Sequence, residues 1–395
     1  MAGAGLGCAP SARARAGGRR NPSMRRAQDF VRLVVVACAA AGFIMAPGAA
    51  PSLAPDAVVT SFTVLATGGG NVDWSPAANQ IAFDQHRQGE HYALYVMNPD
   101  GSAARCLSCD VPGLPQRNVG QPLWSPDGTW LVFQAQKANH PFTMFSIVTH
   151  PTGGIYNDLW AMEAQSRRVR PLRQTPSGRD SGALRPCLPR DGAMLAWSEM
   201  HERPSQRGAG QEVGYWHVMV ADVSWTADGP RLDNLRSLRS PGNGFHEVYD
   251  FTPDGRGLLL AANFERRSKS VFRSMDLYLQ NLSTQQLTRL TTEGCNLHAR
   301  FTPEGRHIVF AHAPGAVQDG ADYWVMRPDG SEKRRISFFN VKGHPSNTGK
   351  AFVVADFAWA PDGQSLVAYC HDGWKGLRKA NERILRLWLG APNAP

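Results

Sequence analysis

The feature that most constrains the fold of this chain is a short motif that recurs six times. Most copies contain an apolar or aromatic residue, a small polar residue and Pro, followed by Asp-Gly, as in residues 124–128. Pro presets φ and Gly readily adopts a positive φ, so the motif is typical of a tight turn between two strands. A short apolar run rich in β-branched and aromatic residues follows each copy, as in a strand. The copies begin at Trp74, Trp124, Cys187, Phe251, Phe301 and Trp359.

Further strand-like runs follow in each unit, so every unit predicts up to four strands. The motif prolines lie 50 to 64 residues apart, which exceeds the about 40–45 residues of a bare four-stranded unit and indicates inserted loops. The chain contains 39 Gly and 28 Pro, a content that suits short strands and turns better than long helices. The sequence therefore predicts an all-β fold, a six-bladed β-propeller of four-stranded antiparallel blades.

The last unit lacks an outer strand of its own, since its third strand-like run ends near residue 388. Residues 61–65, upstream of the first unit, form a strand-like run that belongs to no unit. We predict that this N-terminal strand pairs with the last blade and closes the ring, so that no sheet edge is left open between the chain ends. The predicted propeller spans residues 58–390.

These repeats resemble those of the TolB-type, WD40-like propeller family. The resemblance covers most of residues 58–390 and rests on the WSPDG-type turns and on a strand pattern of Asp, Leu or Tyr, Tyr or Trp, any residue and Met. It implies the propeller fold but little about activity, because propellers host unrelated functions. Only about 20 residues separate the leader described next from the first unit, so we expect no counterpart of the N-terminal domain of TolB proper.

Residues 1–50 have the pattern of a leader. A basic stretch around Met24 precedes fourteen apolar residues, 33–46, and small residues follow at 48–50. Since a membrane span needs about 20 residues, this predicts a cleaved secretory signal and a periplasmic or secreted mature chain with no transmembrane segment. Residues 35–38 also resemble a lipoprotein box, and an acid-free, Arg-rich start also fits an organelle transit peptide. The sequence leaves open whether translation begins at Met1 or Met24.

Charge excludes one class of partner. The net charge is +9, but residues 1–50 hold seven Arg and a single acid, Asp29. The rest of the chain therefore carries only three net charges, which predicts no nucleic-acid partner. We expect a monomer that binds a protein, a peptide or a glycan.

Five cysteines follow the leader, so at least one remains unpaired within the chain. Cys106 and Cys109 form a single CxxC pair. A zinc site would need a second such pair, so we interpret these two residues as a local disulfide.

The inserted loops predict which face of the propeller carries function. Alternate connections of a four-stranded blade lie on the same side, and the long ones join second to third strands or one blade to the next. Ten of the twelve His lie in or beside these long connections, and loops carry function more readily than scaffolds do. The long connections include residues 137–155, 199–215, 264–274, 312–321 and 370–381. Short charged runs such as Arg378-Lys379 are interpreted as solvated loop tips.

The first strand of each unit is predicted to line the central channel, so polar residues near its start should converge at the channel mouth. Such a set suits a divalent metal or a hydrogen-bonded sugar, although the same residues also suit hydrogen bonds between blades. The candidate residues are Asn71, Gln121, His246, Glu247, Asn296, His298 and Asp356.

Two functions remain at this stage. The first is a non-enzymatic binding scaffold that holds a protein, a peptide or an envelope glycan through its long-loop face. The alternative is a metal-assisted polysaccharide lyase or hydrolase. Oligogalacturonate lyase resembles this fold and holds a metal through His and Gln, and Gln121, His246 and His298 stand at roughly suitable places. No G-x-S-x-G motif occurs, which argues against a complete prolyl-oligopeptidase-type hydrolase.

Overall fold

A computed structural model describes residues 53–87, 91–139, 151, 153–176, 181–202, 214–238, 244–266, 270–375 and 378–392. The predicted leader at residues 1–50 lies outside the described residues. Within them, twenty-four strands form six four-stranded antiparallel sheets, each ordered from an inner strand at the channel to an outer strand. The predicted six-bladed β-propeller is therefore confirmed. In the described ranges, two single-turn 3₁₀ segments, Val271–Arg273 and Val317–Asp319, lie in connections.

The first three blades follow one another directly along the chain. Blade 1 comprises β2 (Gly69–Ser75), β3 (Gln80–His86), β4 (Tyr92–Met97) and β5 (Arg105–Cys106). Blade 2 comprises β6 (Val119–Trp124), β7 (Trp130–Gln136), β8 (Asn157–Glu163) and β9 (Val169–Arg173). Blade 3 comprises β10 (Gly182–Cys187), β11 (Met194–Glu202), β12 (Tyr215–Thr226) and β13 (Gly229–Leu238).

The other three blades complete the ring. Blade 4 comprises β14 (His246–Phe251), β15 (Gly257–Ala262), β16 (Asp276–Asn281) and β17 (Leu287–Arg289). Blade 5 comprises β18 (Cys295–Phe301), β19 (Ile308–Ala313), β20 (Asp322–Met326) and β21 (Arg334–Arg335). Blade 6 comprises β22 (Phe352–Trp359), β23 (Ser365–Lys375), β24 (Arg378–Gly390) and, as its outer strand, β1 (Val58–Thr67).

The pairing of β1 with β24 closes the ring as predicted. The ladder runs antiparallel from Val58 opposite Gly390 to Thr67 opposite Arg383. The first described strand of the chain thus supplies the edge that the last unit lacks. Among the described residues, no helix has the length and apolarity needed to cross a bilayer.

The recurring motif forms the turn between the inner and second strands, as its chemistry predicts. In blade 2 the Ser125 hydroxyl donates to Asp127 Oδ1 at 2.5 Å and accepts the Trp130 N–H at 2.9 Å. Gly128 donates its N–H to Ser125 O at 2.9 Å and has φ of 71°, which favours Gly. We call the side of the propeller that carries these turns the turn face, and the opposite side the loop face.

Each inner strand contains a register shift at a similar point in its ladder with the second strand. The shifts fall between residues 69 and 72, 120 and 123, 184 and 187, 248 and 250, 297 and 300, and 354 and 357. Three residues at these bulges have φ of 51–52°: Gln121, Arg185 and His298. Because a bulge re-aims the side chains next to it, these shifts determine which residues point into the channel.

Side chains of the second strands hold successive blades together at these bulges. Each accepts a backbone N–H from the inner strand of the next blade, which satisfies a donor that the bulge leaves outside the ladder. The bonds are Gln121 N–H to Asp84 Oδ2 at 2.8 Å, Arg185 N–H to Gln134 Oε1 at 3.1 Å and Val248 N–H to Ser198 Oγ at 3.2 Å.

One predicted long connection is not a loop. Strands β23 and β24 continue through most of residues 370–381, with Asp372 opposite Ala380 and Trp374 opposite Lys379. The Arg383 guanidinium and the Asn381 amide both donate to the Asp372 carboxylate, the latter at 2.7 Å. These bonds across the pair stabilise the extended hairpin. The outer edge of blade 1 carries the disulfide between Cys106 and Cys109.

Candidate functional site

Arg185 lies at the centre of the channel, midway along the inner strands. Its Nη1 donates to Asp356 Oδ1 at 2.9 Å, and its Nη2 lies 2.8 Å from His298 Nδ1. Its Nε lies 3.8 Å from Glu247 Oε1, and its guanidinium carbon lies 4.8 Å from the centre of the Tyr249 ring. Side chains of blades 3, 4, 5 and 6 therefore meet at one guanidinium, and the Arg185 side chain is only 7% exposed.

The electrostatics of this cluster follow from burial and from the charge of Arg185. Burial lowers the pKa of Arg185, but Asp356 and Glu247 more than compensate and leave it above its ordinary value. Burial raises the pKa of Glu247, while Arg185 opposes that rise. Burial and Arg185 together hold the pKa of His298 well below its ordinary value. His298 is therefore neutral, and its Nδ1 accepts a hydrogen bond from Arg185.

Blades 1 and 2 join this cluster through two other predicted residues. Gln121 Oε1 accepts the Arg185 N–H at 2.7 Å. The Asn71 amide donates to Asp84 Oδ2 at 2.9 Å, and that oxygen also accepts the Gln121 N–H. Five of the seven residues predicted at the channel are thus brought into one network: Asn71, Gln121, Glu247, His298 and Asp356.

The structure places His246 and Asn296 elsewhere. His246 is fully buried beside Phe264, with 5.5 Å between ring centres, and burial lowers its pKa to about 3. It directly precedes Glu247 on β14, and successive side chains of a strand point to opposite sides. The Asn296 amide donates to Met275 O at 3.1 Å and to Glu293 O, while its Oδ1 lies 2.8 Å from His312 Nδ1. Asn296 therefore joins the loops of its own region instead of facing the channel.

These residues do not fit a divalent metal. In the described part of the chain, no three His, Cys, Asp or Glu side chains are grouped so as to hold a metal ion. His298 Nδ1 and Asp356 Oδ1 both lie beside the Arg185 guanidinium, whose positive charge opposes a cation there. The three residues suggested for a lyase-type site, Gln121, His246 and His298, are also not brought together, because His246 packs against Phe264.

Lys379 lies outside the Arg185 network and in a strand, not in a loop. It lies on β24, with its Nζ 4.8 Å from the centre of the Tyr369 ring, so its interpretation as a solvated loop tip is wrong. Burial lowers its pKa, which Glu382 and Asp84 raise in part. Lys379 lines an open pocket of about 450 Å³ together with Thr67, Gly68, Asn381, Glu382 and Arg383.

Asp84 occupies a position that depends on two glycines. A Cβ on Gly70 would lie 1.9 Å from Asp84 Oδ1, and a Cβ on Gly120 would lie 2.6 Å from Asp84 Oδ2. Asp84 is fully buried and accepts the Asn71 N–H at 3.1 Å in addition to its two bonds described above. Burial raises the pKa of Asp84 to about 7, although the hydrogen bonds from Gln121 and Asn71 lower it in part.

Several buried polar atoms of the cluster have no hydrogen-bond partner. Such atoms are costly when they are enclosed, so they mark places where a ligand group or a water completes the network. Most of them are donors: Gln121 Nε2, Gln134 Nε2 and Arg185 Nε, with Asn71 Oδ1 as an acceptor.

The channel opens on the turn face into a cavity of about 470 Å³. Asp73, Asp250 and Arg300 line it, and so do the six motif prolines: Pro76, Pro126, Pro189, Pro253, Pro303 and Pro361. Asp73 Oδ2 accepts the Trp124 N–H at 2.7 Å, and Asp250 Oδ2 accepts the Phe301 N–H at 2.9 Å. Both carboxylates therefore hold neighbouring blades together at this end of the channel.

Arg185, Asp84 and Lys379 were not among the predicted site residues. The residue five positions before the motif proline of the third unit is Leu184. Leu184 is buried, whereas Arg185, the next residue, lies at the bulge and points into the channel. The available signal was a charged Arg inside an otherwise apolar inner strand.

Comparisons with known proteins find structures of similar fold but do not assign a family to this chain. No protein-family profile matches the chain. Over 55 residues it is 44% identical to the uncharacterized peptidase YuxL of Bacillus subtilis, which covers 14% of this chain and 8% of that protein. The match thus spans less than a tenth of that relative.

Solved structures with a similar fold share little sequence with this chain. TolB from Acinetobacter baumannii is 13% identical with a TM-score of 0.46, over 80% of this chain and 62% of its own. The β-propeller domain of the Trilobed protease from Pyrococcus furiosus is 12% identical with a TM-score of 0.46, over 81% of both chains. A puromycin-hydrolyzing peptidase of Mycobacterium tuberculosis is 14% identical with a TM-score of 0.47, over 82% of this chain and 52% of its own. The assignment of the fold rests on the strand pairing itself.

Proposed function

We propose that this protein is a non-enzymatic binding scaffold that holds a protein, a peptide or an envelope glycan at the loop face of its central channel. One observation carries this proposal, namely that polar side chains of all six blades meet in one network around Arg185. A binding site needs a few convergent polar groups at a concave position. The residues are Asn71 and Asp84 of blade 1, Gln121 of blade 2, Arg185 of blade 3, Glu247 of blade 4, His298 of blade 5 and Asp356 of blade 6.

The state of these groups favours binding over catalysis. Asp356 is bonded to Arg185, and Glu247 accepts the Tyr249 hydroxyl. His298 has a pKa well below its ordinary value because of burial and the nearby Arg185. It is therefore a poor proton carrier at neutral pH, where a general acid or base works best with a pKa near the working pH. No observation among the described residues favours the metal-assisted lyase.

The leader-like pattern of residues 1–50 supports an exported protein. We therefore place the site in the periplasm or outside the cell, where envelope proteins and glycans are the available ligands. The monomeric state predicted from the sequence is part of this proposal.

A loop replacement tests the proposal without disturbing the channel. The connection between β7 and β8 is anchored at its ends, because Lys137 Nζ donates to Pro176 O at 3.0 Å and Ile155 is fully buried. Replacing residues 141–149 by Gly-Gly keeps both anchors. The control variant is Arg256→Ala, which changes an exposed residue of a turn-face turn.

The immobilised full chain and both variants are exposed to the protein fraction and, separately, to the glycan fraction of the envelope. We expect the loop variant to lose capture from one fraction, while Arg256→Ala retains it. Equal capture by all three proteins would contradict a role for this connection of the loop face. Circular dichroism of both variants is the control for folding, and we expect the β-sheet content of the parent protein.

A further inference from the structure

The cavity of about 470 Å³ on the turn face is built in layers by the ends of the inner strands. Each inner strand runs towards a motif turn, so a residue further along the strand lies nearer the opening. The deepest residues of the lining are Asp73, Leu123, Asp250, Arg300 and Ala358. The next position in each blade is apolar and forms the wall: Trp74, Trp124, Leu188, Phe251, Phe301 and Trp359. The motif prolines and Arg190 lie at the opening.

The Arg300 guanidinium lines this cavity without a bonded partner. It forms no hydrogen bond and no ion pair with the described part of the chain, and its nitrogen atoms remain accessible. Burial lowers the pKa of Arg300, but Asp356, Asp73 and Asp250 raise it above its ordinary value, so the group is charged. A guanidinium has five N–H donors and pairs best with a carboxylate, through two parallel hydrogen bonds. The cavity therefore presents an accessible cation that lacks an acceptor.

Two other charged groups at this end of the channel have partners of their own. Asp356 accepts a hydrogen bond from Arg185 at 2.9 Å. Arg190 donates to Thr302 O at 3.3 Å and to Pro303 O, which ties the motif turn of blade 3 to that of blade 5. Neither group bonds to the guanidinium at the base of the cavity.

Asp250 places a carboxylate close to Arg300. Its Oδ1 accepts the Phe251 N–H and its Oδ2 accepts the Phe301 N–H, both at 2.9 Å. Since Phe301 directly follows Arg300, these bonds fix the carboxylate beside the strand that carries Arg300. A carboxylate has about four lone-pair sites, so Asp250 can accept further hydrogen bonds from a ligand. The base of the cavity thus combines a cationic donor with an anionic acceptor.

This combination of charges favours a zwitterion over a simple ion. A simple anion would bring another carboxylate to a lining that already contains Asp73 and Asp250, and a simple cation would meet Arg300. A ligand with one charge of each sign complements both kinds of group. The wall adds apolar surface for an apolar substituent.

We propose that this cavity binds a free α-amino acid with an apolar side chain. The carboxylate of the ligand bonds to Arg300, its ammonium group bonds to Asp250, and its side chain packs against the aromatic wall. The two charged groups of an α-amino acid are attached to one carbon, which matches charges on the inner strands of adjacent blades, β14 and β18. The volume of about 470 Å³ lies within the roughly 300–1,000 Å³ of ligand pockets. This site lies on the turn face and is separate from the loop-face site proposed above.

Isothermal titration of the full chain with four ligands tests each contact. The titrations are made at pH 8, where Asp250 is ionised, since burial raises its pKa to about 6. Phenylalanine carries all three groups, whereas N-acetylphenylalanine lacks the ammonium, phenylalanine amide lacks the carboxylate and glycine lacks the side chain. We expect phenylalanine to bind one site per chain, and the other three to bind about tenfold more weakly or less, because each loses one contact.

The same titrations can overturn the proposal. No binding of phenylalanine at millimolar concentration would refute the site. Equal binding of N-acetylphenylalanine would refute the role of Asp250, equal binding of the amide would refute that of Arg300, and equal binding of glycine would refute the apolar side chain. These comparisons use the parent chain alone, so they do not depend on the folding of a variant.

A pair of variants locates the site. Arg300→Gln removes the guanidinium, and Arg306→Gln makes the same change at an exposed residue of the same motif turn. We expect Arg300→Gln to weaken phenylalanine binding by about tenfold or more, while Arg306→Gln retains the affinity of the parent. Equal affinity of all three proteins would show that phenylalanine does not bind at Arg300.

Discussion

The buried carboxyl of Asp84 should make the stability of the propeller fall as the pH rises. In the folded protein, burial raises the pKa of Asp84 from 3.8 to about 7. The folded state thus retains a proton that the unfolded chain releases near pH 4. Because stability falls with pH wherever the folded state binds more protons, this group destabilises the fold progressively between about pH 4 and pH 7.

The size of the effect follows from the same two values. A pKa raised from 3.8 to about 7 corresponds to a loss of about 4 kcal/mol, at about 1.4 kcal/mol for each pH unit. Above pH 7 both states are ionised, and this contribution becomes constant. The Asp84→Asn variant does not titrate, so its free energy of unfolding relative to the parent should rise by about 4 kcal/mol from pH 4 to pH 8. Loss of an acceptor for the N–H groups of Asn71 and Gln121 lowers its stability at every pH.

The assay is urea unfolding of both proteins at pH 4, 5, 6, 7 and 8, followed by tryptophan fluorescence. The difference between parent and variant isolates Asp84 from the other titrating groups. Asp100→Asn, on an exposed turn of the same blade, is the control and should not show this rising difference. Parallel pH profiles for the parent and Asp84→Asn would refute the argument that burial raises this pKa.

Three further predictions address other parts of the channel. Arg185→Met should destabilise the fold by about 3–5 kcal/mol in urea unfolding, since it leaves buried carboxylates unpaired. The double variant Arg185→Met, Asp356→Asn should recover part of this loss, and no recovery would contradict a stabilising pair between Arg185 and Asp356. Gly70→Ala should lower the melting temperature because its Cβ meets the Asp84 carboxylate, whereas Gly315→Ala, whose Cβ has no neighbour nearer than 3.9 Å, should not. Burial holds the pKa of His246 near 3, so the folded protein loses stability as the pH falls from about 6.5 towards 3, where only the unfolded chain takes up the proton. His246→Phe should reduce this loss in urea unfolding at acid pH, and an unchanged pH profile would contradict the role of His246.

The fold could be predicted because its signal is local and repeated. Each motif turn needs only a few adjacent residues, such as Ser125, Asp127 and Gly128, whose bonds to one another define the turn. The closing strand could also be predicted, because a strand without a blade and a blade without an outer strand stand at opposite ends of the chain. Both deductions depend on sequence pattern and strand count alone.

The site could be predicted only in part, because it depends on the direction of single side chains. A bulge in an inner strand shifts the residue that faces the channel by one position, as it does from Leu184 to Arg185. His246 and Glu247 are neighbours in sequence, yet only Glu247 reaches Arg185. Lys379 was missed because β23 and β24 are longer than a usual blade strand. The extension places this lysine within strand β24 instead of in a loop.

The closing pair of strands also determines how the protein would respond to mechanical force. Val58 and Gly390, which lie near the two ends of the described chain, are opposite each other at the same end of the β1–β24 ladder. Within this ladder, tension applied at Val58 and Gly390 would therefore break the hydrogen bonds one after another, instead of shearing them all together. The ring would then open between blades 6 and 1 at a lower force than shearing requires. Blades 1 to 5 would keep four strands each, and blade 6 would keep three.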